Sequence, residues 1–276
     1  MKARKTPASP ALAEEVLDDA LAHRPGDGGP TVLAISGLQG SGKSTLAAAV
    51  TAAAQARGLA AATLSLDDVY LTRAARQARA TRVHPLLLTR GPPGTHDLAL
   101  AHRVLDAVAA GRATRLPRFD KLADDRIDEA AWPVASAPLD LLVMEGWCLG
   151  VPAQADAELD APVNALERDE DANATWRRYC NDALRVDYPA LWRRFDRLWV
   201  LQSPSFEVVS QWRWQQEQSL IAERTSAAGA PHAGMQPAQL ARFLQHYERV
   251  SRHALRTLPA LADRVLRLDE QRHVLD

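Results

Sequence analysis

The residues of this sequence that could most clearly do chemistry form a glycine-rich stretch, GLQGSGKST, at positions 37–45. It matches the pattern GxxxxGK[ST], in which glycines let backbone N–H groups wrap around phosphate oxygens. Lys43 would place its charge at the β- and γ-phosphates of a nucleotide, and the Ser44 hydroxyl would bind Mg²⁺. A β-branched apolar run precedes the motif and a helix-forming run follows it, so we favour a nucleotide site over a chance glycine-rich turn. The predicted phosphate-binding residues are Gly37, Gly40, Ser41, Gly42, Lys43, Ser44 and Thr45.

Two adjacent aspartates, in SLDDVY at positions 65–70, end a second apolar run. Ligands of open α/β sheets bind at the carboxyl ends of the strands, so Asp67 would face the γ-phosphate if the two strands lie close together. There its carboxylate can take the proton of an attacking hydroxyl, bind Mg²⁺, or do both. The alternative is that Asp67 or Asp68 caps a following helix. We favour catalysis for Asp67 and a capping or supporting role for Asp68.

A third carboxylate, Glu145, ends another apolar run in VMEGW, and Gly146 after it permits close approach. Nucleotide-binding strands of this kind normally end in aspartate, and a glutamate at that place can also bind Mg²⁺ or orient water. An ordinary charge at a strand end is the alternative. We predict Ser44, Asp67 and Glu145 as the Mg²⁺ ligands.

Two other classes of nucleotide-binding protein carry motifs that this sequence lacks. A GTPase would usually show an Asn-Lys-x-Asp motif, and an ABC-type ATPase would carry Leu-Ser-Gly-Gly-Gln; neither occurs. Both absences favour a small-molecule kinase.

The composition is typical of a soluble globular protein: of 276 residues, 47% are hydrophobic and 24% are charged, and the net charge is −1. A chain so close to neutrality has no broad field that would attract nucleic acid or an acidic membrane, and we predict neither as a partner. No run approaches the ~20 apolar residues that span a bilayer, and the start lacks the apolar core of a signal peptide. The two cysteines, Cys148 and Cys180, are too few for a disulfide framework, so we expect a cytoplasmic protein. They have no metal-ligand spacing with the histidines, so nucleotide-bound Mg²⁺ is the metal that we predict.

The elements that must position these residues alternate between strands and helices. Compact apolar runs predict five strands, at 31–36, 60–66, 139–145, 195–202 and 264–268. Helical patterns cover 11–22, 44–57 and 98–110, and longer helical stretches lie around 174–194, 206–224 and 237–258. This alternation predicts an α/β fold of the P-loop NTPase type: a doubly wound parallel five-stranded sheet with helices on both faces. We expect one domain over 31–276, preceded by an N-terminal helix and linker at 1–30.

Segments spread along the chain carry a resemblance to a known kinase family. The segments GLQGSGKSTLA, SLDDVYLT, HPLLLTRGPPGTHDL, RFDKLADDR and MEGWCLG occur in this order, followed by PVNALERDEDANATWRRYCNDAL, WRWQQEQSL, GMQPAQLARFLQHYERV and VLRLDEQRHV. Together they resemble the D-glycerate 3-kinase family, part of the P-loop kinase group that includes phosphoribulokinase, uridine kinase and pantothenate kinase. The resemblance covers nearly the whole chain from about residue 31, and RGPPGTHD and NALERDED are far more specific than the P-loop. It implies ATP-dependent phosphorylation of D-glycerate to 3-phosphoglycerate.

The resemblance also implies a lid. Related kinases have a lid after the fourth strand, here the helical segment 206–224, that brings an arginine to the transferring phosphoryl group. Arg213 is the first candidate for this arginine and Arg224 the second. The alternative for Arg213 is a surface pair with Glu217, four residues along a helix.

Two other segments and one residue, Tyr70, have roles that only the resemblance suggests. The loop 269–274 would hold adenine, and the helical insert at 150–195 would form a wall of the acceptor pocket. Tyr70 would line that pocket, although a tyrosine of the core is an equal alternative.

A small acid such as glycerate needs a cation of fixed geometry for its carboxylate and further groups for its hydroxyls. The candidates lie in a long Pro- and Gly-rich substrate loop at 81–97, since loops of this length are usually functional, and in RFDKLADDR at 118–126. The predicted acceptor-binding residues are Asp67, Tyr70, Arg90, His96, Lys121 and Arg126. A solvated surface charge is the alternative for each charged loop residue, and Asp97 could cap the helix at 98–110.

These patterns predict in-line transfer of the γ-phosphoryl group of ATP to a hydroxyl, with Asp67, Lys43, Glu145 and Arg213 as the catalytic residues. One rival is the same chemistry on another acceptor, such as a nucleoside, pantothenate or another sugar acid. The other is an ATP-hydrolysing switch or assembly protein, which would not need the acceptor-side residues.

Overall fold

The computed structural model describes residues 5–26, 28–215, 218 and 236–275. Its helices are α1 Pro10–Ala22, α2 Lys43–Ala56, α3 Arg73–Arg82, α4 Leu98–Ala109, α5 Ala165–Glu170, α6 Thr175–Val186, α7 Pro189–Trp192, α8 with helical residues 208–215, and α9 Pro237–Leu261. Its strands are β1 Thr31–Gly37, β2 Ala61–Ser65, β3 Thr114–Arg115, β4 Phe119–Asp120, β5 Asp125–Arg126, β6 Val134–Ala135, β7 Leu141–Gly146, β8 Arg197–Gln202, β9 Arg264–Leu268 and β10 Val274–Leu275.

The central sheet has the order β10-β9-β8-β1-β7-β2 within the described residues. The five strands from β2 to β9 are parallel and correspond to the five predicted ones, which confirms the predicted fold class. The predicted strand number was wrong, because β10 adds a sixth strand, antiparallel to β9. A two-residue edge strand has no apolar run of its own, and this is why the sequence pattern gave no sign of it.

Helices cover both faces of this sheet. Along β1, Leu33 and Ile35 are buried in one cluster with α1 and α2, while Val32 and Ala34 are buried in another with α4 and α9. Every residue of β1 is buried, as expected of a parallel strand that is covered on both faces. The N-terminal helix α1 is part of this core.

Two predicted elements differ from those observed. The helical stretch 174–194 is two helices, α6 and α7, because Pro189 cannot continue α6 and instead begins α7. The predicted lid at 206–224 lies only partly within the described residues: 208–215 are helical, and Arg224 lies outside them.

None of the described helices combines the length and the apolar character needed to cross a membrane.

Candidate active site

Three chain segments meet at the carboxyl edge of the parallel sheet. The glycine-rich loop follows β1, Asp67 follows β2, and Glu145 lies near the end of β7 between them. The register places Glu145 beside Ile35 of β1 on one side and Ser65 of β2 on the other. The strand order thus unites the three sequence motifs, since β7 separates β1 from β2 by only one strand.

The glycine-rich loop has the shape of an anion cradle. Gly40 and Gly42 have φ values of 79° and 92°, which favour glycine. A Cβ on Gly40 would lie 2.6 Å from the Cβ of Trp212. No side chain caps the start of α2, and the buried Ser41 hydroxyl has no partner among the described residues. The loop and the N-terminus of α2 therefore suit a phosphate group, as predicted for this segment, and Ser44 and Thr45 lie exposed in the first turn.

A cavity of about 60 Å³ opens beside this loop. Its lining residues are Gln39, Lys43, Asp67, Tyr70, Arg90, Lys121, Trp147, Arg213, Phe243 and Tyr247. Six of the residues that we predicted for catalysis or acceptor binding are among these: Lys43, Asp67, Tyr70, Arg90, Lys121 and Arg213. Of the charged residues that line it within the described part of the chain, four are cations, Lys43, Arg90, Lys121 and Arg213, and one is a carboxylate, Asp67.

Asp67 is held on both carboxylate oxygens. The Tyr70 hydroxyl donates to Oδ1 at 2.6 Å, and Lys121 Nζ donates to Oδ2 at 2.7 Å. Burial alone would raise the pKa of Asp67, but the charges of Lys121 and Lys43 and these hydrogen bonds outweigh it and hold the pKa well below its usual range. Asp67 is therefore ionised throughout the physiological range and can accept a proton or bind a cation.

Asp68 has a different task from its neighbour. Its carboxylate accepts from the Phe119 backbone N–H at 3.1 Å and from Arg118 at 3.2 Å, and so fixes β4 beside the cavity. Burial raises the pKa of Asp68 to about 6, against the opposing charge of Arg118. This supporting role agrees with the prediction for Asp68; neither aspartate caps α3, which Thr72 caps instead.

Glu145 meets the requirements of a cation ligand. Its side chain is buried, and Oε2 has no hydrogen-bond partner among the described residues. The Nζ of Lys43 lies 3.9 Å from that oxygen. A buried carboxylate oxygen without a partner is costly, so the residues present fit Mg²⁺ at this place.

The cationic side chains that line the cavity come from different parts of the fold. Arg90 pairs with Asp124 and lies over the Phe119 ring, 5.6 Å from its centroid. Lys121 lies in the turn between β4 and β5, and Arg213 lies on α8. Guanidinium and ammonium groups on three separate elements thus converge on one small space.

Two predicted acceptor-binding residues lie behind the cavity wall and do not line it. His96 is buried, with Nδ1 2.5 Å from the Tyr188 hydroxyl, and burial lowers the pKa of His96 to about 4. Arg126 donates to the Tyr70 carbonyl at 2.7 Å and to Asp97 at 3.0 Å. Both therefore brace Tyr70, which forms a β-bridge with His96. The alternative for Asp97 is confirmed, because its Oδ1 caps α4 through the Leu100 N–H.

Four lining residues escaped prediction: Gln39, Trp147, Phe243 and Tyr247. Gln39 stands at a position that the P-loop pattern leaves free. Phe243 and Tyr247 lie one helical turn apart on α9, and this spacing indicates only a buried helix face. Trp147 is the one of these four residues that the sequence could have indicated, because it comes two residues after Glu145 in the segment VMEGW.

The inserted segment supports α9 and does not line the cavity. Glu167 is fully buried and makes two hydrogen bonds with Arg249 of α9, at 2.8 and 2.6 Å. Asn164 donates to the Gln245 carbonyl at 2.9 Å. The insert therefore fixes the helix that carries Phe243 and Tyr247 into the cavity.

The loop 269–274 lies against the glycine-rich loop. Arg272 Nε donates to the Gly40 carbonyl at 2.6 Å, and its guanidinium lies over the Trp212 ring, 5.1 Å from the centroid. The predicted adenine-binding role of this loop stays a prediction, and its position beside the phosphate cradle is compatible with it.

Comparisons with known proteins agree with a kinase. No protein-family model matches the chain. The chain is 32% identical over 236 residues to the uncharacterized kinase mug58 of Schizosaccharomyces pombe, which covers 80% of this chain and 79% of that protein. It is also 32% identical over 263 residues to the chloroplastic D-glycerate 3-kinase of Arabidopsis thaliana, which covers 87% of this chain.

The chain spans 52% of the length of that chloroplastic enzyme. The solved structure of a D-glycerate 3-kinase from Cryptococcus neoformans var. grubii superposes with a TM-score of 0.76 at 23% identity. The match covers 97% of this chain and 96% of that one, and at this identity it shows a shared fold.

Proposed function

The chain belongs to the kinase family that includes mug58 and chloroplastic D-glycerate 3-kinase, and from this premise we propose that it transfers the γ-phosphoryl group of ATP to D-glycerate. The product is 3-phosphoglycerate. One observation carries the proposal: the ionised carboxylate of Asp67 shares a small cavity with the P-loop Lys43 and with the cations Arg90, Lys121 and Arg213. Such a cavity suits an acceptor that has both a hydroxyl to be activated and a negative charge to be bound.

The acceptor side is assigned by charge. Arg90 and Lys121 bind the carboxylate of glycerate, since a guanidinium and an ammonium group are the strongest partners for it. Asp67 orients the 3-hydroxyl and takes its proton as the oxygen attacks phosphorus. Tyr70 holds Asp67 in place through the bond to Oδ1.

The nucleotide side uses the glycine-rich loop and the two nearby carboxylates. Backbone N–H groups of the loop and Lys43 bind the phosphates, and Arg213 of α8 neutralises charge on the phosphoryl group during transfer. Ser44, Asp67 and Glu145 are the residues that would hold Mg²⁺, which when bound supplies positive charge at the β- and γ-phosphates. Trp147, Phe243 and Tyr247 limit the access of water, which would otherwise compete with the acceptor.

A cytoplasmic location completes the proposal. Both cysteines, Cys148 and Cys180, are free and buried thiols, which fits a reducing compartment.

The first test is ADP release from the purified protein with ATP and Mg²⁺ across a panel of acceptors. The panel contains D-glycerate, L-glycerate, uridine, pantothenate and ribulose 5-phosphate. We expect strong stimulation by D-glycerate. Asp67→Asn should lower kcat by about 10²- to 10⁴-fold, the usual contribution of a general base. The matched control, Asp68→Asn, should retain most of the activity, because Asp68 does not line the cavity and the amide oxygen of asparagine can still accept from the Phe119 N–H.

The outcomes separate the rivals. If another acceptor alone gave saturable stimulation, the protein would still be a kinase, but its substrate would be that acceptor and not D-glycerate. No stimulation by any acceptor, together with slow ATP hydrolysis, would contradict the proposal in favour of a switch. Equal activity of Asp67→Asn and Asp68→Asn would remove Asp67 as the base.

A further inference from the structure

The side chain of Gln39 is a polar group that the proposed reaction does not yet use. Both of its amide atoms, Oε1 and Nε2, are buried and have no hydrogen-bond partner among the described residues. The same side chain lines the cavity that contains Asp67 and Lys43. Buried amides are nearly always paired in folded proteins, so a donor and an acceptor left open toward a cavity indicate a partner that arrives with a ligand.

Each of the two tyrosine hydroxyls that line the cavity already donates a hydrogen bond within the protein. The Tyr70 hydroxyl donates to Asp67 at 2.6 Å, and the Tyr247 hydroxyl donates to the Arg90 carbonyl at 2.8 Å. Each can therefore still accept a hydrogen bond but cannot donate another.

Each charged residue that lines the cavity can either donate or accept hydrogen bonds, but cannot do both. Lys43, Arg90, Lys121 and Arg213 are donors without an acceptor atom, and ionised Asp67 is an acceptor only. Among the described lining residues, Gln39 alone combines an unused donor with an unused acceptor.

A neutral hydroxyl is the ligand group that matches this amide, since it accepts from Nε2 and donates to Oε1. We propose that Gln39 binds the hydroxyl next to the carboxylate of the acceptor, the 2-hydroxyl of D-glycerate, and so makes the enzyme specific for 2-hydroxy acids. This inference rests on the proposed function. It adds a specificity-determining residue to the groups already assigned to the 3-hydroxyl and the carboxylate.

The assignment has a stereochemical consequence. Asp67 holds the 3-hydroxyl arm, Arg90 and Lys121 hold the carboxylate, and Gln39 holds the 2-hydroxyl, so three different substituents of carbon 2 are fixed. Only one hand of that carbon can satisfy all three contacts at once. Gln39 thereby distinguishes D-glycerate from L-glycerate.

The test pairs one substitution with one change in the substrate. Gln39→Met keeps the length of the side chain and removes both hydrogen-bonding atoms, and 3-hydroxypropanoate differs from D-glycerate only in lacking the 2-hydroxyl. We expect the wild-type protein to prefer D-glycerate in kcat/KM by roughly ten- to a hundredfold, the range for one hydrogen bond in a buried site. Gln39→Met should lose most of this preference and most of the preference for D- over L-glycerate, while KM for ATP stays the same.

A ratio measured within each variant does not depend on how much of the protein is folded. Gln39→Glu serves as a second variant of the same shape that lacks the amide donor but keeps an acceptor for the hydroxyl proton, so its preference for the 2-hydroxyl should fall less than that of Gln39→Met. The inference is overturned if Gln39→Met lowers kcat/KM equally on both acceptors, because the amide would then act on the nucleotide or the loop. A wild-type protein that ignores D-glycerate would contradict the proposed function itself, and an active wild type with an unchanged ratio in both variants would contradict only the role of Gln39.

Discussion

At the scale of single residues, the chemistry depends on the ionisation of Asp67. Its burial opposes the charged form, and Lys121 and Lys43 more than compensate. We therefore predict that Lys121→Met raises the pKa of Asp67. Because the base must be ionised, the acidic limb of the kcat/KM profile for the acceptor should move to higher pH. The profile is measured by ADP release at saturating ATP.

The lysines of the sequence provide a matched control for this substitution. Lys5 forms an exposed pair with Glu15 at 2.7 Å and does not line the cavity, so Lys5→Met removes the same charge from outside the cavity wall. Lys121 itself is about 59% exposed on its side chain, so its loss should not unfold the protein. An acidic limb at the same pH in Lys121→Met and wild type would show that Lys121 does not control Asp67.

The residue scale is also where the sequence was most and least informative. The phosphate cradle and Asp67 could be predicted, because motif spacing and strand ends are local features. The role of Gln39 could not be predicted, because the P-loop pattern accepts any residue at that position and so says nothing about its side chain. His96 and Arg126 show the opposite limit: polar loop residues hold the loop itself as often as they meet a ligand, and only the fold decides between these uses.

At the scale of elements, α9 and the insert form one unit through a buried ion pair. Arg249 is bound to Glu167 by two hydrogen bonds and also donates to the carbonyls of Glu158 and Ala161. Arg249→Met leaves Glu167 charged and buried without its partner. We predict a loss of about 3–5 kcal/mol in the free energy of unfolding. The drop in Tm should be on the order of 10 °C for a domain of this size, measured by thermal denaturation.

An exposed pair between the same two elements provides the control. Arg242 of α9 pairs with Glu170, and both side chains are about half exposed, so Arg242→Met should cost about 0–1 kcal/mol. Adding Glu167→Gln to Arg249→Met removes the uncompensated charge and should restore part of the stability. If Arg242→Met and Arg249→Met lowered the free energy of unfolding equally, the buried pair between Arg249 and Glu167 would not be what holds α9 to the insert.

The sequence could not predict this connection. The run ERDED at 167–171 has the composition of a solvated loop, yet Glu167 and Asp171 are buried because α9 and α6 provide arginines for them. Arg249 is 82 residues from Glu167 in the sequence, and Arg177 follows Asp171 by six residues but lies on the next helix, so no pattern within ERDED indicates either pair. The helices themselves could be predicted, with small errors at their ends, since their apolar periodicity is local.

At the scale of the whole molecule, the fold follows from strands that are covered on both faces. Runs such as TVLAIS and LDLLVME are continuous and apolar, which is why the parallel sheet could be predicted from the sequence. The order of the strands could not, and it is the order that brings β1, β7 and β2 side by side with the P-loop, Glu145 and Asp67. Packing outside the sheet also buries two histidines: His96 contacts Tyr188, and His246 of α9 packs against Trp176 of α6.

These buried histidines should make the stability of the protein depend on pH. Burial lowers the pKa of both His96 and His246 to about 4, from 6.5 for the free side chain. Between these values the unfolded chain binds a proton that the folded chain does not, so each histidine lowers the free energy of unfolding as the pH falls, by about 2 kcal/mol at pH 5. Asp68 opposes this trend because its pKa is raised to about 6, so the effect is best isolated by comparing variants. Urea unfolding at pH 7.5 and pH 5 should show a smaller loss of stability in His246→Gln than in wild type, by about 2 kcal/mol. An equal loss in wild type and His246→Gln would mean that His246 is protonated as readily in the folded protein as in the unfolded chain.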